Sequence, residues 1–140
     1  MKIRDLFADV PDQRRRLMAK VKATGSKPEM LVRRATHRLG FRYRLHVRGL
    51  PGTPDLVFSR HKKAIFVHGC FWHRHTGCAR ATTPKAHAEY WQKKFEDNVQ
   101  RDETSQAALE ALGWRVLVVW ECETKNLDCL SERLHTFLTG

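Results

Sequence analysis

Two stretches decide how this 140-residue chain folds: Pro54-Asp55-Leu56-Val57-Phe58 and Ala64-Ile65-Phe66-Val67-His68-Gly69-Cys70-Phe71-Trp72-His73. Each carries a short apolar run of β-branched and aromatic residues. The polar Ser59-Arg60-His61-Lys62-Lys63 between them reads as a tight connection, so the two are adjacent strands. Leu50-Pro51-Gly52-Thr53-Pro54 ahead of them is a turn. Only ten residues separate Asp55 from Phe66. The carboxylate that opens the first strand and the Phe66-Val67-His68 end of the second therefore face one cleft. Beyond His68 the pattern breaks into an irregular loop dense in Cys, His and aromatic side chains.

Upstream, Ser26-Lys27-Pro28-Glu29 has the form of a capping box, with Ser26 at the N-cap and Glu29 at N3. A helix is expected to follow to Leu39, with Met30, Leu31, Ala35 and Leu39 inside, Arg33, Arg34 and Arg38 outside, and Gly40 as its stop. Phe41 to Val47 alternates apolar and basic residues, as a half-buried strand does. Downstream, a helix is expected over Ala86 to Leu112, with Trp91, Phe95, Val99, Leu109 and Leu112 inward. Trp114 to Trp120 is nearly all apolar, the mark of a strand buried on both faces, with Trp114 and Trp120 in the core. A last helix covers Leu127 to Phe137 and carries Cys129, read as a small core residue. The order is helix, three strands, helix, strand, helix: one α/β domain over 26–140 behind a basic arm, 1–25, with a helix expected over 11–23.

Apolar residues make up 41% of the chain, enough for a core and too many for wholesale disorder. No apolar run approaches the roughly 20 residues needed to span a bilayer, and no apolar leader opens the chain, so neither membrane insertion nor secretion is expected. The charge is lopsided. Residues 1–48 hold fourteen Lys and Arg against four acids, whereas residues 49–140 are nearly neutral. Such a one-ended field suits a phosphate-binding arm and flank, and nucleic acid is the expected partner. Arg14, Arg15, Arg16, Lys20, Lys22 and Arg34 are the candidate backbone contacts.

Cys70, His73, His75 and Cys78 fall within nine residues, and Cys122 follows the last strand at the end where this loop can meet it. Without a secretion signal, thiols interleaved with imidazoles point to metal rather than disulfides. Cys70, one histidine, Cys78 and Cys122 make a Cys₃His set suited to a structural zinc. Glu29 either completes the capping box or turns its carboxylate into the cleft to orient a water or a histidine. Phe71 and Trp72 place apolar bulk in a polar loop, which suits wedges that enter a base step; Trp91 either joins them or packs in the core.

A proline-aspartate opening a short hairpin strand resembles the start of a restriction-endonuclease-type core. In that core the aspartate binds Mg²⁺, and the next strand normally adds Asp/Glu-x-Lys. This chain has Val67-His68-Gly69 there instead, so cation binding would rest on Asp55, backbone oxygen, phosphate and water.

Further strings carry a narrower resemblance. Leu50-Pro51-Gly52-Thr53-Pro54-Asp55, Phe66-Val67-His68-Gly69-Cys70-Phe71-Trp72-His73, Tyr90-Trp91 with Asn98 and Arg101-Asp102, and Gly113 to Cys122 resemble the very-short-patch repair (Vsr) mismatch endonucleases. The similarity runs from about residue 14 to 138. It implies a restriction-endonuclease-like fold with a structural zinc, and a Mg²⁺-dependent enzyme. The expected reaction nicks one DNA strand at a T·G mispair, such as deamination of 5-methylcytosine leaves.

By position, Asp55 and the main-chain oxygen of Val67 match the Mg²⁺ ligands, and His68, His73 and Glu29 match catalytic residues. Cys70, His75, Cys78 and Cys122 match the zinc ligands, with His73 able to trade roles with His75. Phe71, Trp72 and Trp91 match the intercalating aromatics, and Asn98 joins the backbone contacts. The resemblance further implies a monomer acting on double-stranded DNA in the bacterial cytoplasm, nucleoid-associated, with a mismatch-repair protein as a further partner. Two other readings stay open: a restriction or defence nuclease of the same fold, and a zinc-stabilised DNA-binding module without catalysis.

Overall fold

In the computed structural model, which describes residues 26–79, 81–82 and 84–140, Ser26 caps helix α1 (Lys27–Arg38) by accepting the Glu29 N–H at 3.4 Å. Pro28 sits in the first turn, where a missing N–H is harmless, and His37 and Arg38 complement the dipole at the other end. The chain continues through β1 (Arg44–Leu45), β2 (Leu56–Phe58), β3 (Lys63–His68), α2 (Ala88–Ala111), β4 (Arg115–Trp120) and α3 (Leu127–Thr139). The order of elements is the one read from the sequence. The arm, its expected helix and Arg14, Arg15, Arg16, Lys20 and Lys22 lie outside the described residues.

The four strands form one sheet in the order β1-β2-β3-β4. β1 and β2 are antiparallel, as are β2 and β3, with Leu56 opposite Ile65. β3 and β4 are parallel, Val67 facing Val119 and His68 facing Trp120, and α2 is the crossover a parallel pair requires. Strand alternation then sorts the side chains of β3. Ile65 joins Val32, Ala35, Leu56, Phe58, Val119, Leu130, Leu134 and Leu138 in the main core under α1 and α3, with Val67 packed against it. Phe66 and His68 point to the opposite face, which α2 covers. A second cluster there holds Tyr90, Trp91 and Phe95, with Phe71 and Trp72 against it. Lys63 is buried, and its ammonium donates to the carbonyls of Phe137, Leu138 and Gly140 at 2.8, 3.0 and 2.9 Å, closing the end of α3.

Several expectations are corrected. The inward row of α1 is Glu29, Val32, Ala35 and Thr36, with Met30 and Leu31 only half-buried. The helix is rotated so that a carboxylate heads its buried face. The strand expected over Phe41 to Val47 shrinks to Arg44–Leu45 at the sheet edge, where the backbone pairs on one side only. β4 is the other edge strand, and only Val119 of it is fully buried. Its apolar run reflects one covered face and one half-covered face, and Trp114 and Trp120 are half-buried rather than core. Leu112 is 57% exposed because α2 ends before that turn meets the sheet. Cys129 is exposed, since the buried stripe of α3 is Leu130, Leu134 and Leu138 and the preceding position points outward.

Candidate active site and metal centre

Asp55 is fixed through its own backbone before its side chain acts. Its N–H donates to Ile65 O at 3.1 Å and its C=O accepts from His46 N–H at 3.1 Å, so it is tied to strands on both sides. Its Oδ2 accepts the Val67 N–H at 2.7 Å, standing in for the next rung of the β2–β3 ladder. In a strand the N–H and C=O of one residue leave by the same edge, so the Val67 carbonyl oxygen is directed to the Asp55 side as well. Asp55 is 7% exposed. Burial pushes its carboxyl up to about 7, Val67 N–H opposes this, and the Glu29 carboxylate adds to it.

Asp55, Val67, His68 and His73 line one cleft of about 100 Å³ with Arg101 and Asp102 of α2. Gly52 makes room for it. At φ +75°, a Cβ there would stand 2.6 Å from the Ser105 Cβ, so only glycine lets the turn approach α2 this closely. His68 and His73 stack with ring centres 3.9 Å apart and planes 6° from parallel. The His73 Nδ1 is 2.6 Å from Asp102 Oδ2, and the His68 Nε2 is 4.0 Å from Asp102 Oδ1. With a carboxylate on Nδ1, that nitrogen carries the proton and His73 Nε2 is left as the basic atom. Burial first, and the neighbouring His73 second, push His68 down to about 4 against the pull of Asp102, so its imidazole is neutral at pH 7. Its buried Nδ1 has no hydrogen-bond partner among the described residues.

Glu29 keeps Ser26 as its cap, but its carboxylate turns into the molecule. It pairs with Arg33 and stands 3.1 Å from His46 Nε2, and His46 Nε2 is 3.7 Å from Asp55 Oδ1. Sequence reading missed His46 and gave Asp102 no role. His46 looked like one polar residue of an alternating strand, and Asp102 entered only in the Arg101-Asp102 string that carries the resemblance.

The ligand-capable atoms of Cys70, His75, Cys78 and Cys122 lie within 4.8 Å of one another. His75 Nδ1 is 3.7 Å from Cys70 Sγ and 3.4 Å from Cys122 Sγ. A tetrahedron with Zn–S of about 2.3 Å and Zn–N of about 2.0 Å has edges of roughly 3.5–3.8 Å, so the donor set fits that ion. Burial, helped by the Cys122 and Cys78 side chains against the Cys122 N–H, pushes the Cys70 thiol up to about 12. A cation is what such a thiol needs to become a thiolate. Of the two histidines, His75 is with the cysteines and His73 is with Asp102. Trp120 touches both centres, stacked on His75 at 4.3 Å and edge-on to His68 at 5.3 Å.

Phe71 and Trp72 are half-buried on the same loop, their rings 5.2 Å apart at 86°. Trp91 is 1% exposed and lies beneath them in the cluster. Asn98 donates to Trp72 O at 3.4 Å, holding the loop to α2. A groove of about 460 Å³ shares Val67, His73 and Arg101 with the cleft and runs on past Trp72, Lys94 and Asn98 to Ser26. Arg34 is exposed on α1. Among the described residues no helix is long and apolar enough to cross a membrane.

Comparison with known proteins places the chain in a family. The family model described as DNA mismatch endonuclease Vsr matches residues 5–80. The type II nicking enzyme V.XorIIP of Xanthomonas oryzae pv. oryzae is 48% identical over 128 residues, covering 91% of this chain and 93% of that protein. The type II nicking enzyme V.NmeAIP of Neisseria meningitidis is 41% identical over 119 residues, covering 85% and 84%. The DNA mismatch endonuclease Vsr of Escherichia coli K12 is 36% identical over 142 residues, covering 96% and 90%. A DNA endonuclease with a mixed α/β fold, this chain belongs to the DNA mismatch endonuclease Vsr family.

Proposed function

We propose that this DNA endonuclease is a Mg²⁺-dependent nicking enzyme that cuts one strand at a T·G mispair. The observation that carries the reading is the convergence of Asp55, Val67, His68, His73 and Asp102 on one cleft, beside a loop that presents Phe71 and Trp72.

Asp55 and the main-chain oxygen of Val67 would hold the divalent cation, which suits an ion that keeps several of its waters. Mg²⁺ bound there supplies polarisation of the scissile phosphate and charge stabilisation at the leaving oxygen. His73 accepts the proton of the attacking water at Nε2, while Asp102 fixes the tautomer and steadies the imidazolium that forms. His68, neutral and buried beside it, donates a hydrogen bond to the reacting phosphate. Glu29 fixes His46 at the rim of the cleft. Cys70, His75, Cys78 and Cys122 would hold Zn²⁺, pinning a loop that has little core of its own.

Lys94, Asn98 and Arg101 along the groove, Arg34 on α1, and Arg14, Arg15, Arg16, Lys20 and Lys22 of the arm would track the phosphates. Phe71 and Trp72 wedge into the duplex with Trp91 as their floor. Unstacking a step costs a few kcal/mol, and least at a mispair, so selectivity has a physical source. The enzyme is proposed to act as a monomer in the bacterial cytoplasm at the nucleoid, with a mismatch-repair protein as further partner.

The test is a labelled hairpin with one T·G pair beside its T·A twin, with and without Mg²⁺. Selective cutting of one strand of the T·G hairpin is expected. Equal cutting of both hairpins would replace repair by a defence nuclease, and binding without cutting would leave only a DNA-binding module.

A further inference from the structure

His46 carries no chemical step in the machinery just described, yet it approaches the Asp55 carboxylate from the side that Val67 does not. Its N–H continues the β1–β2 ladder onto Asp55 O at 3.1 Å, and its backbone turns to φ +46° there, which swings the ring toward α1. His46 Nε2 is then 3.1 Å from the Glu29 oxygens and 3.7 Å from Asp55 Oδ1. Ligand atoms of Glu29, His46 and Asp55 all lie within 4.8 Å of one another.

The neighbours of the trio orient it. Arg33 pairs with Glu29 Oε2 and the Val67 N–H binds Asp55 Oδ2, so Glu29 Oε1, His46 Nε2 and Asp55 Oδ1 are the atoms that meet. Glu29 is 0% exposed and Asp55 7%, and their carboxyls interact directly. Two desolvated carboxylates side by side are unfavourable unless a proton or a cation lies between them.

The distances suit a cation. A separation of 3.7 Å is too long for a hydrogen bond. With a first shell of about 2.1 Å, ligands at right angles stand about 3.0 Å apart and opposite ones about 4.2 Å. The two separations from His46, 3.1 Å to Glu29 and 3.7 Å to Asp55, fall in that interval.

We propose that His46 is a nitrogen ligand of the divalent cation held on Asp55, with Glu29 as the second carboxylate. The inference rests on the reading that Asp55 binds a divalent cation, and it adds a donor type that Mg²⁺ sites do not need. Two carboxylates with one imidazole favour Mn²⁺ or another borderline ion over Mg²⁺. Without the cation, His46 Nε2–H donates to Glu29. On loading, the neutral imidazole gives up the Nε2 proton and takes one from solvent at Nδ1, so its charge is unchanged and the Nε2 lone pair meets the ion.

The probe is Mn²⁺ added to the protein as isolated, without DNA, read by electron spin-echo modulation and by titration. A bound Mn²⁺ with ¹⁴N modulation is expected. His46→Gln should lose that modulation and bind Mn²⁺ at least tenfold more weakly, while its Mg²⁺ affinity changes less than threefold. No bound Mn²⁺, no ¹⁴N modulation, or modulation unchanged in His46→Gln would overturn the proposal.

Should the variant fold poorly, the unmutated protein decides. Substoichiometric Mn²⁺ should broaden the His46 ring resonances ahead of those of His68 and His73, and sharp His46 signals at saturation would overturn the assignment. Asp55→Asn separates the two levels. Mn²⁺ binding that survives it removes the underlying reading as well, whereas binding that depends on Asp55 but not on His46 removes this inference alone.

Discussion

The His73 Nδ1 lies 2.6 Å from Asp102 Oδ2, across the junction between the Cys/His loop and helix α2. The contact joins two parts of the chain that share one aromatic cluster, so the proton-accepting atom of the cleft is aimed by a residue from another element.

Asp102→Asn tests that aim. The amide offers a donor where Nδ1–H needs an acceptor, which favours the wrong tautomer. The rate constant for nicking is expected to fall about 10²–10⁴-fold, with duplex affinity within a few-fold. Single-turnover kinetics and a binding titration check this, and a loss confined to binding would make Asp102 a DNA contact instead.

Asp55 should leave a mark on stability as well as on cutting. Its carboxyl titrates at about 7 in the folded protein against 3.8 ordinarily, so between these values the folded state holds the extra proton. Stability from this group is therefore intact below pH 3.8 and declines as pH rises toward and through 7. His68 works in the opposite sense: held at about 4 against 6.5, its contribution is intact above 6.5 and lost as pH falls through about 4. Asp55→Asn should abolish Mg²⁺-supported nicking, and in divalent-free buffer it should melt higher than the unmutated protein above pH 7, the gap closing near pH 4. Thermal melts across that range check it.

Cys122→Ser should lower zinc content and melting temperature together. The shift expected is at least about 4 °C, the worth of roughly 1 kcal/mol in a domain of this size. A stable, zinc-replete variant would remove Cys122 from the ligand set. Trp120, lying against both His75 and His68, should transmit the loss to the cleft as reduced nicking by the remaining folded protein.

Trp72 and Trp91 should separate function from packing. Trp72→Ala is expected to reduce cutting more on a duplex T·G hairpin than on a substrate already nicked beside the mispair, with a small change in stability. Trp91, 1% exposed, should instead cost about 3–5 kcal/mol on truncation to alanine. Urea unfolding and paired nicking assays distinguish the two.

The sequence by itself determined the elements and much of the chemistry. Local signals suffice where the physics is local: Ser26 caps α1, Gly113 follows α2, and the Cys70 to Cys78 spacing gathers thiols and imidazoles within one loop. Tertiary structure alone decided which side of each element is covered, because a run of apolar residues does not say how many neighbours it will have. Trp114 to Trp120 is the case in point, an edge strand with the composition of a central one. It also decided the assignment of His75 to the cysteines and His73 to Asp102, and the meeting of Glu29 with His46 and Asp55. Those partners are set by strand order and by the rotation of α1 and α2 about their axes, quantities that depend on long-range packing and leave no periodic trace in the chain.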